Sequence, residues 1–458
     1  LTLGGSVYRP VSTFTIWLEI RAFGMYLAPL RALNLLLHLG VVQLVYGALT
    51  RAALPAWTAA FGAALFAVHP GVTETVMFIV ARHDAMGALL ALGALFAWTS
   101  SRPLTQRALV GATLYALALG CKESLVVLPP LVAVTQAYAE QGPRRARVRA
   151  AALQLALSAA VTAAFFAWRA HLHILSGSSV LSGGPRGFAL ALTSVVAHYA
   201  GLALRLQQAA TALSWKPLGG LAALGVVVAL AVLALALWRW SRKDPTHAAR
   251  VAFGASWFLA FALPNALVIP VTGQFANRYL YIPLVGFVFA AASVAHAVLQ
   301  NRPQAVQRAC ALGGALLVLV GALVSAAQAS RWRTGLALFG ADLVDHPDDA
   351  RVVYHYAVSV VRTRGCPVAL PLFVRAAELD PGYARAWHNV AGCLLNLGRY
   401  GDAVRPAERA WRLEPDDPSK LLNLGVALVA AGDHARGRHL LARACRALPR
   451  EPGCALLR

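Results

Sequence analysis

Ionisable side chains gather at three places in an otherwise apolar sequence: residues 68–86, residues 122–123 and residues 278–279. The first stretch reads VHPGVTETVMFIVARHDAM. Ionisable residues at membrane depth are costly and usually mark a function. Carboxylates of this kind act as general bases or orient an acceptor, and Arg and Lys hold phosphate groups. The candidates are Asp84 and Glu74 as catalytic residues, Arg82, Lys122, Arg278 and Tyr279 as ligands of a donor phosphate, and His69 and Glu123 in support.

A cationic pocket beside carboxylates at the lipid–water boundary suits a lipid-linked phosphate substrate. The structural alternative is an ordinary loop, in which Glu74, Arg82 and Asp84 pair with one another and anchor helix ends. His69 and His83 have no third or fourth ligand at a suitable spacing, so we expect them to be structural and predict no metal site.

The elements that carry these residues are membrane helices. The chain has 458 residues, of which 59% are hydrophobic and 13% charged, whereas soluble domains carry about 25% charged residues. Apolar runs of roughly 18 residues, long enough to cross a bilayer, recur between residues 30 and 329. After residue 330 charges become regular and the apolar runs shorten. We therefore predict an all-α chain with a polytopic membrane domain at 1–330 and a second domain at 331–458.

The charge balance of 41 basic to 19 acidic residues gives a net charge of +22. Before residue 331 there are 23 Lys and Arg against six acidic residues, so most of the excess lies in the membrane half. Basic cytoplasmic loops of membrane proteins account for that excess, and we expect no nucleic-acid binding. The six cysteines form no CxxC pair or zinc spacing, and we expect all six to be inert core residues.

Helix parity and loop charge predict the topology. Short basic loops should be cytoplasmic. The basic loops of this chain fall on the same side of the membrane only if residues 188–212 do not cross. The outward side then holds the polar loop at 70–83, the junction at 120–123, the loop at 171–187 and everything after residue 330. It also holds the first residues, so we expect a further helix upstream of Leu1. The ten predicted crossings are 30–49, 56–69, 84–100, 106–120, 122–139, 150–170, 218–239, 251–270, 280–299 and 308–328.

A 34-residue period marks the second domain. Pro347, Pro381, Pro415 and Pro449 are evenly spaced. A helix–turn–helix period of 34 residues with small residues at the helix contacts and a closing Pro is typical of tetratricopeptide repeats. We predict an α-solenoid with repeats at about 350–383, 384–417 and 418–451, preceded by a helix at 332–344. Its concave face would bind an extended peptide or another protein, and the alternative is a spacer without a ligand. The small-residue columns are Ala369, Ala403 and Gly437, and Ala376, Ala410 and Ala444.

Five segments together carry a resemblance to a known family. They are YRPVSTFT (8–15), LNLLLHLGVVQLVY (33–46), FAVHPGVTETVMFIVARHDAMGALL (66–90), LALGCKESLVVLPPLV (117–132) and NRYLYIPLVGF (277–287). In this order, and followed by the repeats, they resemble the transmembrane and tetratricopeptide-repeat O-mannosyltransferases. These belong to the C-type glycosyltransferases, which use polyprenyl-phosphate sugars. The likeness covers nearly the whole chain.

The resemblance implies transfer of a sugar, mannose in eukaryotic members, from a lipid phosphate to protein hydroxyls on the extracytoplasmic or lumenal side. The lipid-linked sugar would be a co-substrate, and no separate cofactor is implied. The chain departs from the family at Val72, where a second His often stands. The family class also keeps a catalytic carboxylate in its first extracytoplasmic loop, ahead of the YRP segment, and we expect that loop upstream of Leu1.

Two functions from different classes follow from these features. The first is a membrane glycosyltransferase whose repeats bind the acceptor or a partner protein. The second is a non-catalytic scaffold, in which the membrane domain anchors a peptide-binding repeat array. The first predicts that changes in the polar cluster abolish transfer, and the second predicts that they leave partner binding intact.

Overall fold

In a computed structural model of the protein, the described residues are 9–139, 143–172, 184–205, 211, 213–272 and 275–457. Most of these residues are helical and none lies in a β-strand, which confirms the predicted all-α class. The predicted outer loop at 171–187 lies largely outside them. The helices are α1 (Pro10–Phe23), α2 (Leu27–Arg51), α3 (Ala56–Val68), α4 (Thr73–Met77), α5 (Arg82–Trp98), α6 (Leu104–Cys121), α7 (Leu128–Ala139), α8 (Arg144–His171), α9 (Gly184–Leu204), α10 (Gly220–Ser241), α11 (Pro245–Thr272), α12 (Tyr281–Leu299), α13 (Gln304–Arg331), α14 (Gly335–Asp345), α15 (Ala350–Arg364), α16 (Cys366–Leu379), α17 (Ala384–Asn396), α18 (Tyr400–Leu413), α19 (Pro418–Ala430) and α20 (His434–Ala447).

Eight helices of the described residues are long and apolar enough to cross a membrane. The protein is therefore an integral membrane protein by the length and composition of its helices. Seven of the eight coincide with predicted crossings, whereas the count of ten stays a prediction. The eight are Leu27–Arg51, Ile79–Trp98, Arg144–His171, Arg186–Leu204, Gly220–Ser241, Pro245–Pro270, Asn277–Leu299 and Gln304–Arg331.

The eighth helix differs from our expectation, because Arg186–Leu204 falls in the segment predicted not to cross. The His198 ring stacks on Phe275 with centroids 3.9 Å apart, and Arg205 follows the helix end. The helix therefore meets the length and hydropathy requirements despite its polar side chains.

Helices α11 and α12 approach each other closely at two glycines. A Cβ atom on Gly254 would lie 2.5 Å from the Gly286 carbonyl oxygen. Small residues of this kind let membrane helices pack backbone against backbone. The close packing positions the 3₁₀ turn Asn277–Leu280, which directly precedes α12 and carries two of the predicted site residues.

Three buried hydrogen bonds hold the backbone around this turn. Tyr199 donates to the Ala276 carbonyl at 3.0 Å, and Trp257 donates to the Ile282 carbonyl at 2.9 Å. The Asn265 amide donates to the Tyr279 carbonyl at 3.3 Å. Buried carbonyls need such partners because an unpaired one costs free energy. Helices α9 and α11 therefore fix the position of the turn.

The chain divides into two compact units, one of residues 1–209 and 215–330 and the other of residues 210–214 and 331–458. In the second unit, the first helices of three successive pairs begin at Ala350, Ala384 and Pro418. Each start lies 34 residues after the previous one (384 − 350 and 418 − 384). The second helices begin at Cys366, Tyr400 and His434, again 34 residues apart.

Small residues lie buried where paired helices meet. Ala369 and Ala403 have no exposed surface. At the equivalent Gly437, a Cβ atom would lie 2.8 Å from the Val429 backbone nitrogen. The helices of a pair are therefore too close for a larger side chain at these positions.

Two disulfides cross-link the second unit. Cys366 pairs with Cys393, which joins α16 to α17. Cys445 pairs with Cys454, which joins α20 to the 3₁₀ segment Pro452–Leu457. The expectation that every cysteine is an inert core residue is therefore wrong for these four. Sequence spacing gave no signal, because the pairs are 27 and 9 residues apart and only the helix turns bring them together.

Replacing Cys366 and Cys393 together by Ser should destabilise the second unit by about 3 kcal/mol, because the disulfide closes a long loop in the unfolded chain. Denaturant unfolding followed by tryptophan fluorescence would measure the change. Cys310 is an exposed free thiol, so Cys310→Ser is the matched control and should leave the midpoint unchanged. An unchanged midpoint in the double variant would contradict the predicted contribution.

Candidate functional site

Asp84 and Lys122 form a buried ion pair in the unit of residues 1–209 and 215–330, which we call the membrane unit. Asp84 lies in the first turn of α5, where a carboxylate interacts favourably with the helix dipole. Lys122 follows the end of α6, and its Nζ contacts Asp84 Oδ1. A Cβ atom on Gly87 would lie 3.7 Å from the Lys122 Cβ, so α5 passes closely beside this junction. Asp84 is 0% exposed, and Lys122 is nearly as buried.

Glu74 and Arg278 form a second ion pair. Glu74 lies in the short helix α4 and is fully buried. Its Oε1 contacts the Arg278 guanidinium, and its Oε2 accepts a hydrogen bond from the Arg278 backbone N–H at 3.3 Å. A carboxylate held by charge-assisted and backbone hydrogen bonds is well fixed in orientation. Helix α4 and the 3₁₀ turn before α12 are thereby joined.

The Tyr279 ring connects the two ion pairs. Lys122 Nζ lies 5.4 Å from the ring centroid, and the Arg278 guanidinium lies 5.0 Å from it. Cations at these distances from an aromatic face are attracted to it. We call Glu74, Asp84, Lys122, Arg278 and Tyr279 the buried cluster. It brings together five of the eight residues that the sequence predicts for the site.

Arg9 and Glu123 lie beside the buried cluster and are more exposed, at 18% and 31%. The Arg9 guanidinium donates to both Glu123 carboxylate oxygens at 3.3 Å. It also lies 2.6 Å from His83 Nε2. Glu123, predicted as a supporting residue, thus reaches the cluster through Arg9 and His83. We call Arg9 and Glu123 the mouth of the cluster.

One carboxylate oxygen of the cluster has no hydrogen-bond partner. His83 Nδ1 lies 2.5 Å from the Val80 carbonyl and donates to it, so Nε2 of the neutral ring accepts from Arg9. Asp84 Oδ2, 3.2 Å from that nitrogen, therefore receives no proton from it. The oxygen is buried and unpaired. A buried unpaired carboxylate oxygen is costly, and it is available to accept a proton from a ligand.

Arg82 lies apart from these contacts. Its guanidinium donates to Asn34 Oδ1 at 2.8 Å and to the Leu30 carbonyl at 2.9 Å. It also pairs with Glu19 at 2.5 Å. The structural alternative, in which Glu74, Arg82 and Asp84 pair with one another, is therefore wrong. Each of the three has another partner, brought to it by tertiary packing.

His69 also makes internal contacts. Its Nδ1 accepts from the Gly71 N–H at 3.0 Å, and its Nε2 lies 3.2 Å from the Ala203 carbonyl. The ring thus links the loop after α3 to the end of α9. Among the described residues, no three His, Cys, Asp or Glu side chains are grouped as metal ligands.

Sequence reasoning missed Arg9 and the role of His83. Arg9 was part of a segment quoted for the family resemblance, but no spacing rule links it to Glu123, which lies 114 residues away. His83 was weighed as a metal ligand and expected to be structural. Its position next to Asp84 was the signal that could have identified it.

Fold and site together define a polytopic helical membrane protein with a buried cluster of two carboxylates and two cations. No protein-family model matches the chain, and no curated protein matches it. Functional assignment therefore depends on the geometry of the cluster.

Proposed function

We propose that the protein is a membrane glycosyltransferase that moves a mannose-like sugar from a polyprenyl phosphate to protein hydroxyls. The observation that carries this proposal is the buried cluster, in which Asp84 Oδ2 is unpaired beside two cations. The residues it brings together also lie in the segments that resemble the O-mannosyltransferases.

Four residues of the cluster have a direct role in such a transfer, and Glu74 holds Arg278 in place. Asp84 Oδ2 accepts the proton of the acceptor hydroxyl while its oxygen bonds to the anomeric carbon. The bond from that carbon to the phosphate oxygen breaks, and the phosphate leaves with the electron pair. Lys122 and Arg278 then stabilise the charge that develops on the leaving phosphate. Tyr279 keeps the two cations on either side of the reaction centre.

The experiment that tests this function uses the purified protein in liposomes with radiolabelled polyprenyl-phosphate mannose and a Ser/Thr-containing peptide. Label incorporated into the peptide supports the proposal, and its absence with every sugar tried contradicts it. The scaffold remains the alternative, favoured by the fact that both cations already have carboxylate partners. A scaffold predicts partner binding without any incorporation.

The two disulfides support placement of the second unit on the extracytoplasmic side. Disulfides persist in oxidising compartments and are rare in the cytosol. Cys366–Cys393 and Cys445–Cys454 both lie in that unit, whereas Cys121 and Cys310 in the membrane unit are free. Acceptor proteins that enter the secretory route would meet the repeats on that side.

We further propose that the second unit is a tetratricopeptide-repeat α-solenoid that binds the acceptor. The 34-residue spacing of its helix starts and its buried small residues support the repeat assignment. Stacked repeats of this type present one helix of each pair along a concave face. Helices α15, α17 and α19 are the first helices of the three pairs.

Polar contacts at equivalent positions of successive repeats, 34 residues apart, join these three helices. The Asn389 amide donates to Tyr354 Oη at 3.1 Å, and the Asn423 amide lies 3.3 Å from His388 Nδ1. Burial raises the pKa of Tyr354 and lowers that of His388, so the hydroxyl stays protonated and the ring stays neutral. The asparagine carbonyl oxygens have no partner within the described residues. They can accept hydrogen bonds from the backbone N–H groups of an extended peptide.

Replacing Asn389 and Asn423 together by Ala should raise the KM for a peptide acceptor about tenfold, since two hydrogen bonds of about 0.5–1.5 kcal/mol each are lost. Donor affinity should not change. Steady-state kinetics with varied peptide would measure the effect. Asn396 is exposed at the end of α17, so Asn396→Ala is the matched control. Equal KM values in the double variant and the control would contradict acceptor binding at this face.

A further inference from the structure

Arg169 is a buried cation, two of whose nitrogens have no hydrogen-bond partner among the described residues. It lies at the end of α8 and is 8% exposed, and its Nε and Nη1 atoms are both buried and unpaired. The guanidinium lies 5.9 Å from the centroid of the Phe165 ring. By contrast, Arg82 and Arg278 each contact a carboxylate. A buried guanidinium that lacks such a partner requires a counter-charge from elsewhere.

The carboxylate that interacts electrostatically with Arg169 already has another partner. Glu123 is near enough to Arg169 for the two charges to interact. Both Glu123 oxygens, however, accept hydrogen bonds from Arg9. Among the described residues, Arg169 is therefore left without a carboxylate of its own.

The position of α8 indicates where the counter-ion of Arg169 comes from. Trp168, next to Arg169, is 53% exposed at the end of a helix that is long enough to cross the membrane. Amphipathic aromatic side chains at helix ends are enriched at the lipid–water boundary. Anions concentrated at that boundary are the phosphate groups of lipids. The planar guanidinium of Arg can donate two parallel hydrogen bonds to the oxygens of a phosphate, as it can to a carboxylate.

We propose that Arg169 binds the phosphate ester of a membrane lipid at the end of α8. The phosphate supplies the missing negative charge and accepts hydrogen bonds from the unpaired N–H groups of Arg169. The lipid is the polyprenyl-phosphate donor or an anionic phospholipid, and identification with the donor rests on the proposed function.

The test is a binding measurement that needs neither sugar nor acceptor. The full-length protein in a phosphate-free maltoside detergent is titrated with unglycosylated polyprenyl phosphate, with phosphatidylglycerol and with inorganic phosphate, and bound lipid is counted by native mass spectrometry. Arg169→Met should weaken binding about ten- to a hundredfold, because charge-assisted hydrogen bonds are lost. Arg149→Met is the matched control, since Arg149 is exposed at the opposite end of α8.

The pattern across the three ligands distinguishes the sources. If Arg169→Met weakens the binding of polyprenyl phosphate alone, the site belongs to the donor. If it weakens the binding of phosphatidylglycerol alone, the site belongs to a structural lipid. Weaker binding of all three ligands, inorganic phosphate included, indicates that the site recognises the phosphate group itself. Equal affinities of wild type and Arg169→Met for every ligand overturn the proposal.

Ligand-free stability provides a second readout. Because Arg169→Met removes an unpaired buried charge, its Tm without lipid should equal or exceed that of wild type. A lower Tm would mean that Arg169 has a structural partner, and would overturn the proposal. If Arg169→Met fails to fold, that outcome counts against the proposal in the same way. Arg169→Lys keeps the charge but loses the planar guanidinium. It should retain the Tm and bind phosphate less tightly than wild type.

These outcomes are separable from failure of the proposed function. Lipid binding that depends on Arg169, combined with no sugar transfer under any condition, would leave the phosphate site standing and remove the glycosyltransferase. Sugar transfer with no dependence of lipid binding on Arg169 would do the reverse.

Discussion

Asp84→Asn is expected to lower the rate of sugar transfer about 10²- to 10⁴-fold, the range that a general base contributes. The substitution keeps the shape of the side chain and removes its ability to take a proton from the acceptor hydroxyl. Transfer from labelled polyprenyl-phosphate mannose to a peptide, at saturating donor, would measure kcat. The effect should fall on kcat, because Asp84 is not among the proposed ligands of the phosphate.

Stability is the confounding variable in this experiment. Asp84→Asn leaves Lys122 as a buried cation without a carboxylate, and breaking a buried ion pair in this way costs about 3–5 kcal/mol. The double variant Asp84→Asn, Lys122→Met removes both charges and should recover most of that stability. It should not recover transfer. If it regained both stability and activity, the ion pair would be purely structural and the catalytic assignment of Asp84 would be wrong.

The architecture could be predicted from the sequence because it depends on local pattern. Apolar runs give membrane helices wherever they are long enough, and the 34-residue period gave the helix pairs whose first members begin at Ala350, Ala384 and Pro418. Residues 186–204 differ from the expectation, because they form a helix long and apolar enough to cross a membrane although His198 argued against a crossing. The His198 ring stacks on Phe275, a tertiary contact that no local pattern records.

The residues of the site could largely be predicted, but the partner of each carboxylate could not. The sequence indicated that carboxylates and cations collect at helix ends, and five of the eight named residues do meet. Glu74, however, is paired with a residue 204 positions away, and Asp84 with one 38 positions away. Such partners depend on which helices are neighbours. Helical periodicity indicates the face that a residue occupies but not the helix that packs against it.

Arg82 provides the second large expected effect. The sequence predicts that it binds the donor phosphate, whereas its observed contacts with Glu19, Asn34 and the Leu30 carbonyl are internal. Arg82→Met should therefore destabilise the membrane unit by about 3–5 kcal/mol, because it leaves Glu19 as a buried carboxylate without a cation. Thermal unfolding of the purified protein in detergent would measure the loss as a lower Tm.

The double variant Glu19→Gln, Arg82→Met separates a structural role from a functional one. With both charges removed, Tm should return most of the way to the wild-type value, and the kcat and donor KM of the recovered protein should be close to wild type. This is the opposite of the outcome expected at Asp84 and Lys122, where stability returns without activity. If Arg82→Met instead kept the wild-type Tm and raised the donor KM, then Arg82 would hold the phosphate as the sequence predicts. The two double variants together therefore distinguish a pair that maintains the helix packing from a pair that takes part in the reaction.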